Sequence, residues 1–151
     1  MTPKINFKLL DLADCTLLHT WLQQEHIREF WDDGDRTIQE VINHYMPLPD
    51  NCKRFIFSID SLAVGYIQSY IIAEDDIGID FFIGNLNFLG KGYAAIILKK
   101  FIDAYCSNKT VIVDPAIDNQ RAIHIYQKLG FCKLSEFEQN GVIYQFMSRR
   151  I

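Results

Sequence analysis

The hydrophobic positions of this chain repeat with two different periods, which predict strands and helices in alternation. In the stretch Ile77–Gly84, apolar residues occupy every second position, as in a strand whose successive side chains point to opposite faces. In the stretch Gly92–Tyr105, they recur every three or four positions and form one helical stripe. The predicted strands are Lys4–Leu9, Lys53–Ile59, Leu62–Ala73, Ile77–Gly84, Thr110–Val113, Phe131–Phe137 and Val142–Ser148.

Capping residues mark the ends of the predicted helices. Thr37 and Glu40 have the spacing of a capping box, and Asp11 is placed to cap an earlier helix. Gly130 follows the last apolar position of a later helix, as is typical of a helix C-terminus. The predicted helices are one after Asp11 that carries Cys15, Leu18 and Leu22, one from Thr37 to about Tyr45, Gly92–Tyr105 and Asn119–Leu129, with Glu25–Phe30 a short helix or turn.

The order of these elements, β-α-α-β-β-β-α-β-α-β-β, predicts an α/β (α+β) protein. A run of hairpin strands followed by alternating units indicates a mixed sheet flanked by helices. The chain has 151 residues, of which 49% are hydrophobic and 23% charged, and this suits one globular domain over residues 1–151.

Composition argues against several classes of protein. No apolar run approaches the roughly 20 residues of a membrane helix, and the first residues lack the apolar core of a secretory signal. The net charge of −4 argues against a general nucleic-acid binder. No two of the cysteines have metal-ligand spacing, so we expect reduced thiols, no metal, and a cytoplasmic protein without nucleic-acid or membrane partners. The cysteines are Cys15, Cys52, Cys106 and Cys132.

Charge is unevenly divided along the chain. Residues 1–76 carry 13 acids and 6 bases, a net charge of −7, whereas residues 77–151 carry 6 acids and 9 bases, a net charge of +3. An acidic half beside a basic half suits two ligands of opposite sign, one cationic and one phosphorylated. Chance segregation of surface charge is the alternative.

A glycine-rich loop before the Gly92–Tyr105 helix has the features of a phosphate cradle. Glycines allow a ligand to approach the backbone closely, and the first N–H groups of a helix attract anions. The hydroxyl residue of a nucleotide P-loop is missing and the dinucleotide fingerprint is not met, which leaves another phosphorylated ligand or an ordinary turn. The loop consists of Leu89, Gly90, Lys91, Gly92, Tyr93 and Ala94.

The stretch Asn119–Phe131 fits the pattern Asn-x-x-Ala-x-x-x-Tyr-x-Lys-x-Gly-Phe. Together with the glycine loop one helix upstream, it resembles the GNAT superfamily of N-acetyltransferases. In the family's pyrophosphate loop, Gln/Arg-x-x-Gly-x-Gly/Ala, Gly92 and Ala94 match and Leu89 replaces the Gln or Arg. The resemblance implies the GNAT fold, with a mostly antiparallel central sheet, and acetyl-CoA as cosubstrate.

Further motifs are similar to the aminoglycoside 6′-N-acetyltransferases, in the same order and over roughly residues 5–147. The resemblance implies acetyl transfer to the 6′-amine of an aminoglycoside by direct attack in a ternary complex, by a monomer or homodimer. It would make antibiotic resistance a role of the protein. The matching motifs are His26–Trp31, Gly65–Tyr70, Gly78–Asp80, Leu89–Gly92, Asp114–Pro115 and Asn119–Ile123.

Asp80 is the candidate catalytic base. It lies mid-strand on one face with Gly78 and Phe82, a place where a carboxylate does not serve packing. Partial burial would raise its pKa toward that of a useful base, and its charge would attract an ammonium group. The alternative is an aspartate hydrogen-bonded to nearby backbone. In the resembling family, this position carries the carboxylate that contacts the substrate amine.

The resemblance also implies roles toward the coenzyme. Tyr126 corresponds to a tyrosine that acts as general acid near the coenzyme sulfur, although it also lies on the apolar stripe of its helix and could simply pack. Asn119 corresponds to a residue that bonds the pantetheine arm, and it could equally be an N-cap. The backbone of Phe82 and Ile83 would pair with pantetheine as an added strand does.

Candidate substrate residues are acidic or aromatic. Asp114 is a substrate contact by resemblance, or else a turn former at a strand end. The loop Trp31–Asp35 offers counter-charges and a stacking face to a polyamine, or else is a solvated loop. The residues assigned to substrate binding are Trp31, Asp32, Asp33, Tyr66 and Asp114.

The chain departs from the resembling enzymes between the third and fourth strands. They usually carry a longer acidic, aromatic insertion there, whereas this chain has only Glu74-Asp75-Asp76. Three functions stay open: aminoglycoside acetylation, acetylation of another small cationic amine or a siderophore precursor, and a non-catalytic acyl-CoA- or antibiotic-binding module. Asp80 with Tyr126 argues against the binding module, and the short turn favours another amine.

Overall fold

The alternating and helical apolar patterns form seven strands and five helices within residues 2–32 and 34–151, which the computed structural model describes. Two short 3₁₀ turns, Leu12–Asp14 and Leu86–Phe88, lie between them. The strands are β1 (Ile5–Leu9), β2 (Cys52–Ile59), β3 (Leu62–Ala73), β4 (Asp76–Ile83), β5 (Thr110–Val113), β6 (Cys132–Gln139) and β7 (Val142–Arg150). The helices are α1 (Cys15–Leu22), α2 (Glu25–Arg28), α3 (Ile38–Tyr45), α4 (Tyr93–Tyr105) and α5 (Gln120–Lys128).

The strands hydrogen-bond in the order β1-β2-β3-β4-β5-β7-β6. The β1–β2, β5–β7 and β6–β7 pairs are antiparallel, and the β4–β5 pair is parallel. The parallel pair requires a long connection, and α4 lies in it. The predicted class, a mixed and mostly antiparallel sheet with helices, is confirmed.

The chain divides into two compact units. The first contains residues 1–69 and 81–91, and the second contains residues 70–80 and 92–151. The expectation of a single domain stays a prediction.

The core of the first unit lies between helices α1 and α3 and the strands. Leu18 of α1 and Val41 of α3 are completely buried, as is Tyr66 of β3. Trp21 of α1 packs so closely on Gly84 that a Cβ atom there would lie 2.2 Å from the Cδ2 of the indole. Gly84 therefore owes its identity to the tryptophan rather than to a backbone conformation.

The core of the second unit is built by the inner faces of α4 and α5. Phe101 of α4, Val111 of β5 and Met147 of β7 are fully or almost fully buried. The stripe predicted on the Gly92–Tyr105 helix supplies the buried residues Ile97, Leu98 and Phe101, as its spacing requires. None of the described helices is both long and apolar enough to span a membrane.

Two helix starts show how capping decides boundaries. The Thr37 hydroxyl accepts a hydrogen bond from the Glu40 amide at 3.1 Å, and the Glu40 carboxylate accepts one from the Thr37 amide at 3.0 Å. The predicted capping box is therefore confirmed. Asp11 instead exchanges bonds with Asp14 around the 3₁₀ turn, and α1 begins only at Cys15. The predicted cap is therefore correct in kind, but it initiates a tighter turn.

Candidate active site

Strand β4 places Asp80 just beyond its pairing with β5. The parallel register joins Asp76 to Thr110, Ile77 to Val111 and Gly78 to Ile112. Asp80 lies two residues farther along β4 and is partly buried. The Asp80 carboxylate therefore lies beyond the last residue pair of β4 and β5 in this register.

Tyr70, which was not among the predicted site residues, packs against Gly78 of β4. A Cβ atom at Gly78 would lie 2.2 Å from the Cζ of the Tyr70 ring. Gly78 therefore clears a seat for this ring, two residues before Asp80 on the same face of β4. A glycine in mid-strand is the signal that could have indicated it.

Asp80, Asp114 and Tyr126 influence one another electrostatically within the second unit. Burial, together with the negative charge of Asp80, raises the pKa of the Asp114 carboxyl to about 6. Burial also raises the pKa of the Tyr126 phenol, with added contributions from Asp80, Asp114 and Tyr70. The structure therefore brings together the two predicted catalytic residues and one predicted substrate residue.

This arrangement suits a cationic ligand. Two negatively charged carboxylates that repel each other are stabilised when an ammonium group binds between or beside them. The Tyr126 phenol keeps its proton at neutral pH and is a hydrogen-bond donor. A bound cation would offset the two negative charges and lower the pKa of the phenol, which would make Tyr126 a better acid.

Helix α5 gives both Asn119 and Tyr126 structural contacts. Asn119 caps the helix, because its Oδ1 accepts a hydrogen bond from the Ala122 amide at 3.3 Å. The buried Tyr126 ring packs against Phe131, with 5.4 Å between the ring centroids. These contacts match the structural alternatives, and they leave the coenzyme roles of both residues as predictions.

The glycine loop opens α4 with two left-handed residues. The φ angles are +68° at Gly90 and +81° at Gly92, a region that strongly favours glycine. A Cβ atom at either position would meet no heavy atom within 4 Å. Gly92 is the N-cap of this 13-residue helix and has no side chain to cap its first turn. An anion can therefore approach the N-terminal end of α4 along open backbone.

The end of β4 is held by side chains from the first unit. His26 Nε2 lies 3.0 Å from the carbonyl oxygen of Ile83, and Gln24 Nε2 donates to the carbonyl of Gly84 at 3.0 Å. The Phe82 ring stacks on Tyr66, with centroids 5.5 Å apart. Only backbone groups of Phe82 and Ile83 were predicted to meet the coenzyme, and the Ile83 carbonyl already has a partner.

Tyr66 requires a correction. Its side chain is completely buried, and its hydroxyl donates to Gln68 Oε1 at 2.6 Å. Trp31 meets the Tyr66 ring edge-on at 5.8 Å and donates from Nε1 to the Tyr45 hydroxyl at 3.1 Å. A ring without exposed surface does not touch a substrate, so Tyr66 is a residue that positions Trp31.

The acidic loop forms ion pairs with basic side chains near it. Arg36 donates to both oxygens of Asp32, at 2.9 and 3.0 Å, and lowers the pKa of that carboxyl. Asp35 lies 2.6 Å from His44 Nδ1. Asp33 lies outside the described residues. Asp32 therefore has a counter-charge of its own, which favours the alternative of an organised loop, and its contact with substrate stays a prediction.

The chain matches the family model described as an acetyltransferase (GNAT) domain over residues 11–139. A solved aminoglycoside N(6′)-acetyltransferase from Legionella pneumophila is 26% identical with a TM-score of 0.84, covering 99% of this chain and 94% of that one. The aminoglycoside acetyltransferase AAC(6′)-Ib, solved with coenzyme A, is 25% identical with a TM-score of 0.82, covering 97% and 95%.

A third solved structure shares the fold alone. The spermidine N-acetyltransferase from Vibrio cholerae, in complex with CoA and spermine, is 17% identical. Its TM-score is 0.80, and the match covers 97% of this chain and 95% of that one. Proteins with this fold are named for different amines, so the fold alone does not determine the substrate, and side chains must.

Proposed function

Because the chain belongs to the GNAT acetyltransferase family, we propose that it transfers the acetyl group of acetyl-CoA to the 6′-amine of an aminoglycoside. The observation that carries the proposal is the pair Asp80 and Asp114, whose charges oppose each other within one unit. A polycationic amine is the ligand that relieves this repulsion. The similarity to two aminoglycoside acetyltransferases at 25–26% identity supports the same substrate class.

Asp80 acts on the amine. An ammonium group has no lone pair, so a base must take its proton before nitrogen can attack the thioester carbonyl. The carboxylate of Asp80 holds the ammonium and accepts this proton, directly or through one water molecule. The new C–N bond then replaces the C–S bond, and direct attack requires the amine and the thioester in the site together.

Tyr126 protonates the leaving sulfur. Its phenol is buried and neutral, so it can donate a proton to the thiolate as the C–S bond breaks. The second proton that the attacking nitrogen loses then restores the phenol, and the products are the amide and the free thiol. Binding of the cationic amine lowers the pKa of this phenol, because it offsets the charges of Asp80 and Asp114. The acid is thus strongest when substrate is present.

Several groups are proposed to bind the coenzyme. The N-terminal end of α4 at Gly92 binds the pyrophosphate. Asn119 contacts the pantetheine arm, and backbone groups of Phe82 and Ile83 pair with it as an added strand does. The remaining loop residues, Leu89, Gly90, Lys91, Tyr93 and Ala94, surround the pyrophosphate.

Trp31 is the aromatic residue proposed to contact the substrate. Its ring is partly exposed and is held edge-on by Tyr66 and Phe82, with centroids at 5.8 and 5.1 Å. A ring fixed in this way offers a face to a sugar or an ammonium group with little loss of side-chain entropy.

The test is an acetylation assay with a panel of amines. The protein is incubated with acetyl-CoA and kanamycin, tobramycin, neomycin, spermidine or lysine, and products are identified by mass spectrometry. An aminoglycoside acetylated on the 6′-amine supports the proposal. Coenzyme binding without any acetylated aminoglycoside contradicts it.

A second candidate function is acetylation of another small cationic amine or a siderophore precursor. It is favoured by the connection from β3 to β4, where only Glu74 and Asp75 separate the two strands. So short a turn removes part of the wall expected around a large aminoglycoside. Acetylated spermidine or lysine with unmodified aminoglycosides is the result that this candidate requires.

A further inference from the structure

We infer that His26 is a positioning residue for the coenzyme, because it fixes the carbonyl group of Ile83 at the end of β4. The inference rests on the proposed function, in which backbone groups of Phe82 and Ile83 pair with the pantetheine arm. It gives His26, which the sequence places only at the start of the motif His26–Trp31, a role of its own.

The hydrogen bond determines which nitrogen of His26 carries a proton. Nε2 lies 3.0 Å from the Ile83 carbonyl oxygen, and the partly buried imidazole reaches it from a segment 57 residues away. A carbonyl oxygen only accepts hydrogen bonds, so Nε2 is the donor.

The backbone after Ile83 is irregular, which explains why it needs support. The amides of Gly84 and Asn85 both donate to the Val64 carbonyl, at 2.8 and 2.9 Å. Two consecutive donors on one acceptor interrupt the regular alternation of a strand, as a bulge does. The directions of the neighbouring backbone groups are therefore not set by the ladder alone.

Side chains from the segment Trp21–His26 supply this support. Gln24 holds the Gly84 carbonyl at 3.0 Å, and the Trp21 indole fills the place of a Gly84 side chain. His26 holds the preceding carbonyl. Two consecutive carbonyl groups at the end of β4 are thus oriented from one short segment of the first unit.

Fixed backbone groups bind an extended ligand better than mobile ones. A ligand that adds to a strand obtains its affinity from main-chain hydrogen bonds, and each loses strength when the strand turns. Without the His26 bond, the Ile83 peptide would need another partner and could rotate toward one. His26 should therefore affect coenzyme affinity, whereas the chemical step depends on Asp80 and Tyr126.

The experiment compares His26→Met with His26→Gln. Methionine fills a similar volume without a donor, whereas the glutamine amide can reach the position of Nε2. We expect calorimetry to show coenzyme A binding weakened roughly tenfold in His26→Met and nearly restored in His26→Gln. The KM for acetyl-CoA should rise in parallel, while kcat at saturating coenzyme stays within about twofold.

His19→Met is the matched control. His19 Nε2 makes the same kind of bond, 2.8 Å from the Arg36 carbonyl oxygen, at an exposed place in the same unit. Its loss should leave coenzyme affinity unchanged. A fall in thermal stability shared by both methionine variants would measure the structural part of the effect.

Equal coenzyme binding by the wild type and a folded His26→Met variant would overturn the inference and leave the proposed function intact. If His26→Met does not fold, His26→Gln is compared with His26→Asn, whose amide is too short to reach Ile83. Equal affinities of those two variants would also overturn it. A wild-type protein that binds no coenzyme A would overturn the proposed function and the inference together.

Discussion

Two acidic regions look alike in the sequence and differ in the structure. In the loop Trp31–Asp35, Asp32 receives two hydrogen bonds from Arg36, and its pKa is lowered. In the second unit, Asp114 is partly buried and opposed by the charge of Asp80, and its pKa is raised to about 6. The first carboxylate is compensated by the protein, whereas the second is held in an environment that disfavours its charge.

This difference supports the hypothesis that Asp32 organises a loop, whereas Asp114 serves a ligand. A surface charge paired with an opposite charge contributes little or modestly to stability. Burying two like charges together lowers stability. An arrangement that costs stability is expected where binding or catalysis benefits from it. We therefore expect Asp80 and Asp114, rather than the loop acids, to be the counter-charges for a cationic amine.

The largest expected effect is on turnover. Asp80→Asn should lower kcat by roughly 100- to 10,000-fold, because the amide cannot accept the proton of the amine. Steady-state acetylation of the best amine of the panel measures it. Asp103→Asn is the control in the same unit, since Asp103 is exposed and paired with Lys99 at 3.2 Å. Turnover close to that of the wild type in Asp80→Asn would show that Asp80 is not the base, and the two acidic regions would no longer differ in function.

The same contrast extends to two glycines. Gly92→Asp should weaken coenzyme A binding by roughly tenfold or more, because a carboxylate would face the pyrophosphate. The left-handed φ at this position would also strain the backbone of an aspartate. Gly34 has a φ of +84° and equally open surroundings, but it lies in the acidic loop. Gly34→Asp shares the strain without the like charge, so calorimetry should find its coenzyme affinity unchanged. Equal affinities of the two variants would remove the glycine loop from the site.

Most of the fold was predictable because it follows local rules. Alternation predicted β4, and the Thr37–Glu40 spacing predicted the start of α3. The start of α1 was wrong by several residues, because Asp11 and Asp14 close a 3₁₀ turn that has the same capping pattern as a helix.

The site was predictable only where a motif names it. Asp80, Asp114 and Tyr126 lie in motifs, and the structure brings them together. Tyr70 was missed because its place depends on the missing side chain of Gly78. His26 was missed as well, since its partner is a backbone carbonyl 57 residues away, and backbone carbonyls leave no trace in a sequence.

Smaller effects are expected from Asp114→Asn, which should weaken amine binding but stabilise the fold at high pH. The KM for the amine should rise roughly tenfold, because one counter-charge is lost. Stability should increase at pH 8 by about 1–3 kcal/mol, a range that allows for partial burial. The folded-state pKa, about 6, lies above the ordinary value of 3.8. The folded protein therefore loses stability as pH rises from about 4 through 6, and the variant does not.

Thermal unfolding of both proteins at pH 4 and pH 8 measures this effect. The melting temperatures should differ little at pH 4, where the carboxyl group is protonated in the folded state and lies near its ordinary pKa in the unfolded state, and the variant should melt higher at pH 8. A variant that melts lower at pH 8 would show that Asp114 is compensated after all, as Asp32 is.

The smallest effect is expected from Asp32→Asn. Its bond to Arg36 is exposed on both sides, with 40% of the Asp32 and 46% of the Arg36 side chain accessible. Exposed ion pairs contribute little to stability, so the melting temperature should fall only slightly at pH 7. Because the pKa of Asp32 is lowered in the folded state, that small contribution is present above its ordinary pKa and disappears in acid. The KM for a cationic amine should stay within about twofold of the wild type. A tenfold rise in KM would mean that the substrate displaces Arg36, and the acidic loop would then belong to the amine site beside Trp31.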